Sequence, residues 1–172
     1  MHSCFSILNG EGIYMREMRR KDRRLTEDEA RDLLRRGEYG VLAMVMPSGR
    51  PYSIPISYIY DEECCAVYMH VSAEAGQKMD NILCEPHVCL TVVTGTEVLP
   101  AQFATKYWSV NVFGTLHIVE DAAEKHHGLL ALVRKYAAQY EEDGVKYIAA
   151  ASHRVHVLKL QIAVMTGKAR KK

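Results

Sequence analysis

The sequence is organised around the stretch YMHVSAEAGQKMD, residues 68–80. Its first part has the two-residue period of a strand, so Tyr68 and His70 are expected on one face. Ser72 is a favourable N-cap residue, and a helical repeat of apolar residues begins soon after it. The stretch therefore predicts the end of a strand, a polar corner and the first turns of a helix.

The polar corner has the composition of an anion site. Lys78 falls near the start of the predicted helix, where a basic residue does little for helix stability. Free N–H groups at a helix start, the Ser72 hydroxyl and the Lys78 ammonium together suit a phosphate. The same residues also occur as an ordinary cap and an exposed lysine, so the corner alone leaves both interpretations open.

Length and composition indicate one soluble globular domain. The 172 residues suffice for one core, and 48% hydrophobic with 25% charged residues is normal for this class. A formal net charge of +1 does not favour nucleic acid as a partner, and the basic segment 168–172 is expected to be a solvated tail. No apolar run approaches the roughly 20 residues that span a bilayer, so no membrane partner is expected.

The cysteines and the N-terminus bear on location. Five cysteines without C-x-x-C spacing are present, at positions Cys4, Cys64, Cys65, Cys84 and Cys89. They are expected to be reduced thiols in a reducing cytoplasm, and segment 84–89 lacks the spacing of a zinc module, so no metal site is predicted. Residues 1–17 are interpreted as an N-terminal extension rather than a signal peptide, which favours a cytoplasmic location.

Upstream of the organising stretch, the pattern predicts a helix followed by a hairpin. Thr26 and Glu29 have the spacing of a capping box, and Gly37 is expected to end the helix. Pro55 lies within an extended run and cannot donate to a strand ladder, so pairing is expected to be incomplete there. The predicted strands in this half are 39–46, 50–60 and 64–71, with turns at 47–49 and 61–63.

Downstream, strands and helices alternate without a regular βαβ rhythm. Strands are predicted at 87–95, 107–119 and 153–165, helices at 120–136 and 140–151, and a loop at 95–104. The tally is about six strands and three or four helices, and the short turns imply antiparallel pairing. The fold class is therefore mainly β, a small antiparallel barrel with helices at its rim, formed by residues 18–172 as a single domain.

Six segments carry a family resemblance when taken in order. They are MRRKDR (18–23), GRPYSIPI (49–56), YMH (68–70), GQKMD (76–80), YWSVNVFG (107–114) and MTGK (165–168). Together they resemble the FMN-binding split-barrel family related to pyridoxamine 5'-phosphate oxidase, and in particular its Nim-type (5-nitroimidazole resistance) branch. The resemblance implies a six-stranded antiparallel split β-barrel that forms a homodimer, with FMN at each end of the interface.

The resemblance also implies which residues contact the cofactor. A strand segment would line the isoalloxazine, a second group would hold the phosphate, and one further residue would contact FMN. These are Ile54, Pro55, Ile56 and Ser57 for the ring, Val71, Ser72, Gln77 and Lys78 for the phosphate, and Ser109 for the further contact. In the oxidase branch two adjacent basic residues occupy the phosphate corner, whereas here Gln77 replaces the first.

Three more residues receive roles from the resemblance. His70 matches the histidine that Nim-type proteins hold near the flavin, where it is proposed to assist electron or proton delivery, so it is the predicted catalytic residue. Tyr107 and Trp108 would wall the site from the other subunit. On their own, Ile54 and Ile56 are equally compatible with the core, Ser109 with an ordinary strand position, and the two aromatic residues with interface packing.

Three hypotheses of function follow. The first is an FMN-dependent oxidoreductase that reduces nitro groups or other small electrophiles. The alternative is a non-catalytic flavin or haem carrier or sensor with the same fold, and the third is a barrel without a cofactor. The pyridoxal-phosphate-binding arginines and histidine of a true oxidase are not recognisable near the C-terminus, so vitamin B6 chemistry ranks second.

Overall fold

The structure is a computed structural model that describes residues 16–74 and 76–171. The N-terminal extension expected at residues 1–17 therefore lies largely outside the described residues. The helices are α1 (Glu27–Arg36), α2 (Gln77–Cys84), α3 (Ala122–Tyr136) and α4 (Glu141–Ala151). The strands are β1 (Tyr39–Val45), β2 (Pro51–Ser57), β3 (Ile59–Asp61), β4 (Ala66–Ser72), β5 (His87–Leu99), β6 (Ala104–Ile118) and β7 (Val155–Arg170).

All strands belong to one antiparallel sheet in the order β2-β1-β5-β6-β7-β4-β3. The prediction of a mainly β fold of the split-barrel type with peripheral helices is confirmed. Two details of it are wrong, because the sheet has seven strands rather than six and is not closed. Both differences arise at one residue, Tyr58.

Tyr58 is the point at which the predicted strand 50–60 divides. The segment before it, β2, pairs with β1, and the segment after it, β3, pairs with β4. These two segments are the opposite edges of the sheet, yet one residue separates them. The sheet must therefore curl until its edges meet at Tyr58, which gives a barrel with a gap in its hydrogen-bonded ladder.

The C-terminal end of α3 fills this gap with polar groups. The Tyr136 hydroxyl accepts the Tyr58 N–H at 2.9 Å, and the Lys135 ammonium donates to the carbonyls of Tyr58 at 2.9 Å and Gly37 at 2.6 Å. The ammonium also lies 4.0 Å from the centroid of the Tyr58 ring, although burial lowers the pKa of Lys135 to about 8. Backbone groups that the split leaves unpaired are thus satisfied by side chains.

Two apolar cores lie on opposite sides of the sheet. The larger core fills the barrel interior, and the smaller one lies between the outer face of β4 and β7 and the helices α3 and α4. Tyr68 belongs to the smaller core, and its hydroxyl donates at 2.7 Å to the Glu124 carboxylate, which also accepts from Lys159. The helical hairpin α3–α4 is therefore fixed against the outer face of β4, the face from which His70 also projects.

Several local predictions have clear outcomes. The capping box is confirmed, because the Thr26 side chain accepts the Glu29 N–H while the Glu29 carboxylate accepts the Thr26 N–H, and α1 ends at Gly37 as expected. The predicted loop at 95–104 is wrong, since β5 continues to Leu99 and β6 starts at Ala104. The ladder absorbs Gly95 as an irregularity, with φ of +59° at this glycine.

The thiol prediction holds for three residues. Cys64, Cys84 and Cys89 are free, but Cys65 is disulfide-bonded, so the expectation of reduced cysteines is wrong for Cys65. Cys4 lies outside the described residues. Within residues 16–74 and 76–171, no helix is both long enough and apolar enough to cross a membrane.

Candidate functional site

The polar corner lies between the end of β4 and the start of α2. The prediction that Ser72 caps the helix is wrong, because α2 begins at Gln77 and its N-cap is Gly76. Ser72 still pairs within the sheet opposite Val155, and its hydroxyl oxygen accepts the Glu74 N–H at 3.2 Å. Ser72 therefore closes the turn that leads to the helix, and its hydroxyl proton remains available to an acceptor.

The start of α2 presents unpaired donors. Gly76 supplies no side chain to cap the helix, and its carbonyl accepts the N–H groups of Met79 and Asp80. Among the described residues, neither the N–H groups of Gln77 and Lys78 nor the Lys78 ammonium has a hydrogen-bond acceptor. Three positively polarised donors thus lie at the positive end of a helix dipole, an arrangement that suits a phosphate group.

His70 lies beside this corner on the outer face of β4. His70 keeps an exposed edge, but partial burial of its ring, with a smaller contribution from the Lys78 ammonium, lowers the pKa of His70 below its usual value. The Lys78 ammonium is therefore near enough to His70 to act on its charge. The lowered pKa favours the uncharged imidazole, so His70 takes up its proton at a lower pH than an ordinary histidine.

A pocket of about 470 Å³ opens next to His70. Its walls are mainly apolar side chains from the facing surfaces of α3 and α4, with a few polar groups at the sheet side. The apolar and aromatic walls come from Leu129, Leu132, Val133, Tyr136, Ala137, Tyr147, Ile148, Ala151 and Val155, and the polar groups from Ser57, His70, Ser152 and Arg154. This size and this mixture are typical of sites for small molecules.

The predicted ring-contacting residues of β2 divide between two faces. Ile54 and Ile56 are partly buried and pack against the barrel interior, as does Val71 on β4. Pro55 and Ser57 are exposed on the opposite face, and Ser57 lines the same pocket as His70. A ligand on the outer face would therefore meet Ile54, Ile56 and Val71 through their backbone, and Pro55 and Ser57 through their side chains as well.

Ser109 is far from the corner within one chain. Along β7, His70 is opposite Val157 and Ser109 is opposite Lys168, so the two positions differ by eleven residues. An extended strand of that length spans roughly 36 Å. Ser109 and His70 of the same chain consequently do not contact one small ligand.

Tyr107 and Trp108 share the location of Ser109 at this far end of β6. The Ser109 hydroxyl donates to the Lys168 carbonyl at 3.3 Å, and Trp108 packs directly over Gly95, where a Cβ atom would lie 2.6 Å from the indole. Among the residues that the structure describes, the predicted site therefore forms two groups. One contains Ser57, His70, Ser72, Gln77 and Lys78, and the other contains Tyr107, Trp108 and Ser109.

Arg154 is a candidate site residue that the sequence pattern did not reveal. It precedes β7, and its carbonyl accepts the Ala73 N–H at 2.9 Å, which holds it directly opposite the polar corner. Only the pairing of β4 with the last strand of the chain brings these segments together. The sequence shows neither that long-range pairing nor its register, so no local signal marks Arg154.

An apolar area covers the outer face of β1 and β5. Val41, Val45 and Val93 are 40%, 38% and 54% exposed, which is high for large apolar side chains that lie close together on a sheet. Val41 pairs opposite Thr91, and Val93 pairs opposite Ser109, so Ser109 belongs to the same face. The predicted FMN contact thus adjoins an exposed apolar area on the outer surface of the sheet.

These features define a split-barrel protein with a corner rich in unpaired hydrogen-bond donors beside a pocket of about 470 Å³. The family model described as pyridoxamine 5'-phosphate oxidase matches residues 26–169. The chain belongs to this family, so the resemblance stated from the six sequence segments is confirmed at the level of the family. A search of curated proteins found no match.

Solved structures with the same fold have diverse descriptions. A candidate 5-nitroimidazole antibiotic resistance protein from Bacteroides thetaiotaomicron is 23% identical, with a TM-score of 0.72 over 85% of this chain and 86% of that chain. A conserved hypothetical protein from Mycobacterium tuberculosis is 18% identical, with a TM-score of 0.76 over 90% and 91%. A FAD and haem binding protein from Mycobacterium smegmatis is 19% identical, with a TM-score of 0.67 over 86% and 72%. At these identities the likeness concerns the fold alone.

Proposed function

We propose that this protein binds FMN at the polar corner and acts as a flavin-dependent oxidoreductase on nitro groups or other small electrophiles. The observation that supports it most is the set of unpaired donors at the start of α2, namely the Lys78 ammonium, which acts on the charge of His70, and the free N–H groups of Gln77 and Lys78. The Ser72 hydroxyl lies at the end of β4, five residues before this helix. Family membership and structural relatives described as FAD-binding support a flavin in general. The phosphate-sized set of donors favours FMN in particular.

The residues at the corner fit the phosphate of FMN chemically. A phosphate needs donors, and the corner offers an ammonium, a hydroxyl and two N–H groups. The Gln77 amide donates instead to the Asn81 side chain at 2.7 Å, so Gln77 would contribute its backbone N–H rather than its side chain. This assignment explains how the corner can accept a phosphate although a glutamine replaces the first basic residue of the oxidase branch.

A homodimer is the second part of the proposal. Ser109, Tyr107 and Trp108 can act at the polar corner only if another copy of the chain supplies them, because roughly 36 Å of strand separates the two groups within one chain. The exposed valines of β1 and β5 adjoin Ser109 and would be buried by such a partner. The flavin would then lie between His70 of one protomer and Ser109 of its partner.

The bound flavin would supply the electron-transfer chemistry, and the chain's own residues would supply position and protons. The exposed side of β2, at Pro55 and Ser57, would support the ring. His70 would hold a proton at the mouth of the pocket and pass it to the acceptor as the acceptor gains electrons. The apolar walls of α3 and α4 would keep water from the acceptor.

The visible spectrum of the purified protein tests the proposal directly. A yellow protein with flavin absorbance, whose released chromophore has the mass of FMN, is the expected result. Sedimentation should give about twice the chain mass of 19.5 kDa. A Soret band would instead favour the haem carrier, and a colourless protein that takes up no added FMN would favour a barrel without a cofactor. Flavin that is reduced slowly by NADH or NADPH, without stimulation by acceptors, would favour the flavin carrier or sensor.

Replacing His70 by alanine is expected to lower turnover with a nitroarene by about 100-fold, within the usual range for loss of a general acid. Since the pKa of His70 is lowered, its protonated form accumulates only below its usual value near 6.5. The wild-type rate should therefore rise as the pH falls through this region, and the His70→Ala variant should lack that rise.

His126→Ala is the matched control, because His126 is exposed on α3 and does not line the pocket. Both variants should retain the flavin spectrum of the wild type. Unchanged turnover in the His70→Ala variant, at every pH, would remove His70 from the mechanism.

A further inference from the structure

From the pocket between α3 and α4, we propose that the substrate of this protein is a small, largely apolar molecule that carries one anionic group, and that Arg154 binds this group. The pocket has a volume of about 470 Å³ and contains both Arg154 and His70. The proposal rests on the proposed function, because it assigns the acceptor that would meet the flavin at His70.

The walls of the pocket favour an apolar body. Leu129, Leu132 and Val133 come from α3, while Ile148 and Ala151 come from α4 on the opposite side. Of these side chains, Leu129, Leu132 and Ile148 are themselves buried, at 8%, 6% and 6% exposure. They belong to packed structure, so the shape of the pocket is largely pre-formed. A flat ring bound between the two helices would displace water from the apolar side chains of both helices, which favours binding.

The charges of the pocket favour an anion. Arg154 and His70 are the ionisable basic groups in the lining, and no carboxylate is present among the lining residues. Within the part of the chain that the structure describes, the Arg154 guanidinium has no ion pair and no hydrogen-bond acceptor. An unpaired guanidinium at the edge of an apolar pocket is well suited to bind a carboxylate or a similar planar anion.

Arg154 is also held in place by the sheet. Its carbonyl accepts the Ala73 N–H at 2.9 Å, and the next residue, Val155, pairs with Ser72. The side chain therefore starts from a fixed backbone between the polar corner and the pocket. An anion bound by Arg154 would place the apolar part of its molecule against α3 and α4, with His70 at the mouth of the same pocket.

Three isosteric probes test the assignment by calorimetric titration of the flavin-loaded protein at pH 7. These are 4-nitrobenzoate, 4-nitrobenzamide and 4-nitrobenzamidinium, which differ chiefly in charge. The anion should bind about tenfold to a hundredfold more tightly than the neutral amide, the usual gain for a hydrogen-bonded charge pair. The amidinium should bind more weakly than the amide, and the anion should shift the flavin absorbance band without releasing the flavin.

Two variants and one control separate the effect of the charge from the effect of the cavity. Arg154→Gln should remove the preference for 4-nitrobenzoate over the amide, and Arg36→Gln, an exposed arginine outside the pocket, should retain it. Ala151→Phe adds a ring between the helices and should weaken the binding of 4-nitrobenzoate and of 4-nitrobenzamide by the same factor. Flavin content, read from the visible spectrum, should equal that of the wild type in all three variants.

The outcomes distinguish this proposal from the function on which it rests. Equal affinity for the three probes, an unchanged preference in Arg154→Gln, or displacement of flavin by 4-nitrobenzoate would overturn the substrate class. Loss of flavin from Arg154→Gln would also overturn it, because Arg154 would then belong to the cofactor. If the wild type takes up no flavin, the proposed function fails, and the same titrations on the colourless protein still decide whether the pocket binds anions.

Discussion

Replacing Lys78 by alanine is expected to weaken FMN binding by about tenfold to a hundredfold, the usual cost of one charge-assisted hydrogen bond. The ammonium has no partner among the described residues and lies at the start of α2 beside two unpaired N–H groups. In this arrangement its charge is available to a phosphate. Quenching of flavin fluorescence during titration of the apoprotein measures the dissociation constant.

Riboflavin provides the decisive comparison, because it has the ring of FMN but no phosphate. Lys78→Ala should leave the affinity for riboflavin unchanged. The dissociation constant of riboflavin divided by that of FMN should therefore fall by the same tenfold to hundredfold. Lys146→Ala, which changes an exposed lysine on α4, should alter neither affinity. An equal loss for FMN and riboflavin would mean that Lys78 supports the fold of the site instead of binding the phosphate.

The second large effect is expected in the sheet. Gly114→Ala should lower the free energy of unfolding by about 3 kcal/mol, the upper end of the usual range for an overpacked site. A Cβ atom at Gly114 would lie 1.9 Å from the Gln161 carbonyl oxygen, where β6 changes register against β7. Because the obstructing atom belongs to the backbone, no change of side-chain rotamer relieves the clash. Urea unfolding followed by circular dichroism measures the difference.

Gly76→Ala is a suitable comparison for this experiment. Its backbone is extended, and a Cβ atom there would meet nothing within 4 Å. Since alanine is a poor N-cap, a cost of up to about 1 kcal/mol is expected for this variant. If Gly114→Ala were no more destabilising than Gly76→Ala, then the sheet would adapt at the register change, and the steric explanation of Gly114 would be wrong.

Local signals in the sequence predicted most elements of the fold. The capping box at Thr26, the stop at Gly37 and the alternation along β4 depend on interactions within a few residues, which a single sequence displays. The division at Tyr58 was not predictable in this way, because it depends on long-range pairing. The first half of one extended run pairs with β1, and the second half pairs with β4. The loop predicted at 95–104 was wrong for the same reason, because the long-range pairing of β5 with β6 extends past Gly95, which Trp108 covers.

The part of the site that lies within one short segment of the sequence was predictable. The corner from His70 to Lys78 is one segment, so its strand, turn and helix could be predicted together, apart from the cap. Arg154 and the pocket on α3 and α4 were not found, because they reach the corner only through the pairing of β4 with β7. The role of Ser109 as an FMN contact was inferred from the family resemblance alone. Its distance from His70 became evident only from the register of the strand ladder.

The position of β7 has a consequence for biosynthesis. This last strand is hydrogen-bonded to both β6 and β4, and it alone joins the four-strand half β2-β1-β5-β6 to the two-strand half β4-β3 in the sheet. A nascent chain that has not yet released residues 155–170 from the ribosome therefore has two unjoined sheet fragments. Each of them exposes the edge that β7 will later occupy, and such edges pair readily with other chains. Folding of this barrel consequently cannot be completed until β7 is available, and loss of β7 would leave both of these edges open to pairing with other chains.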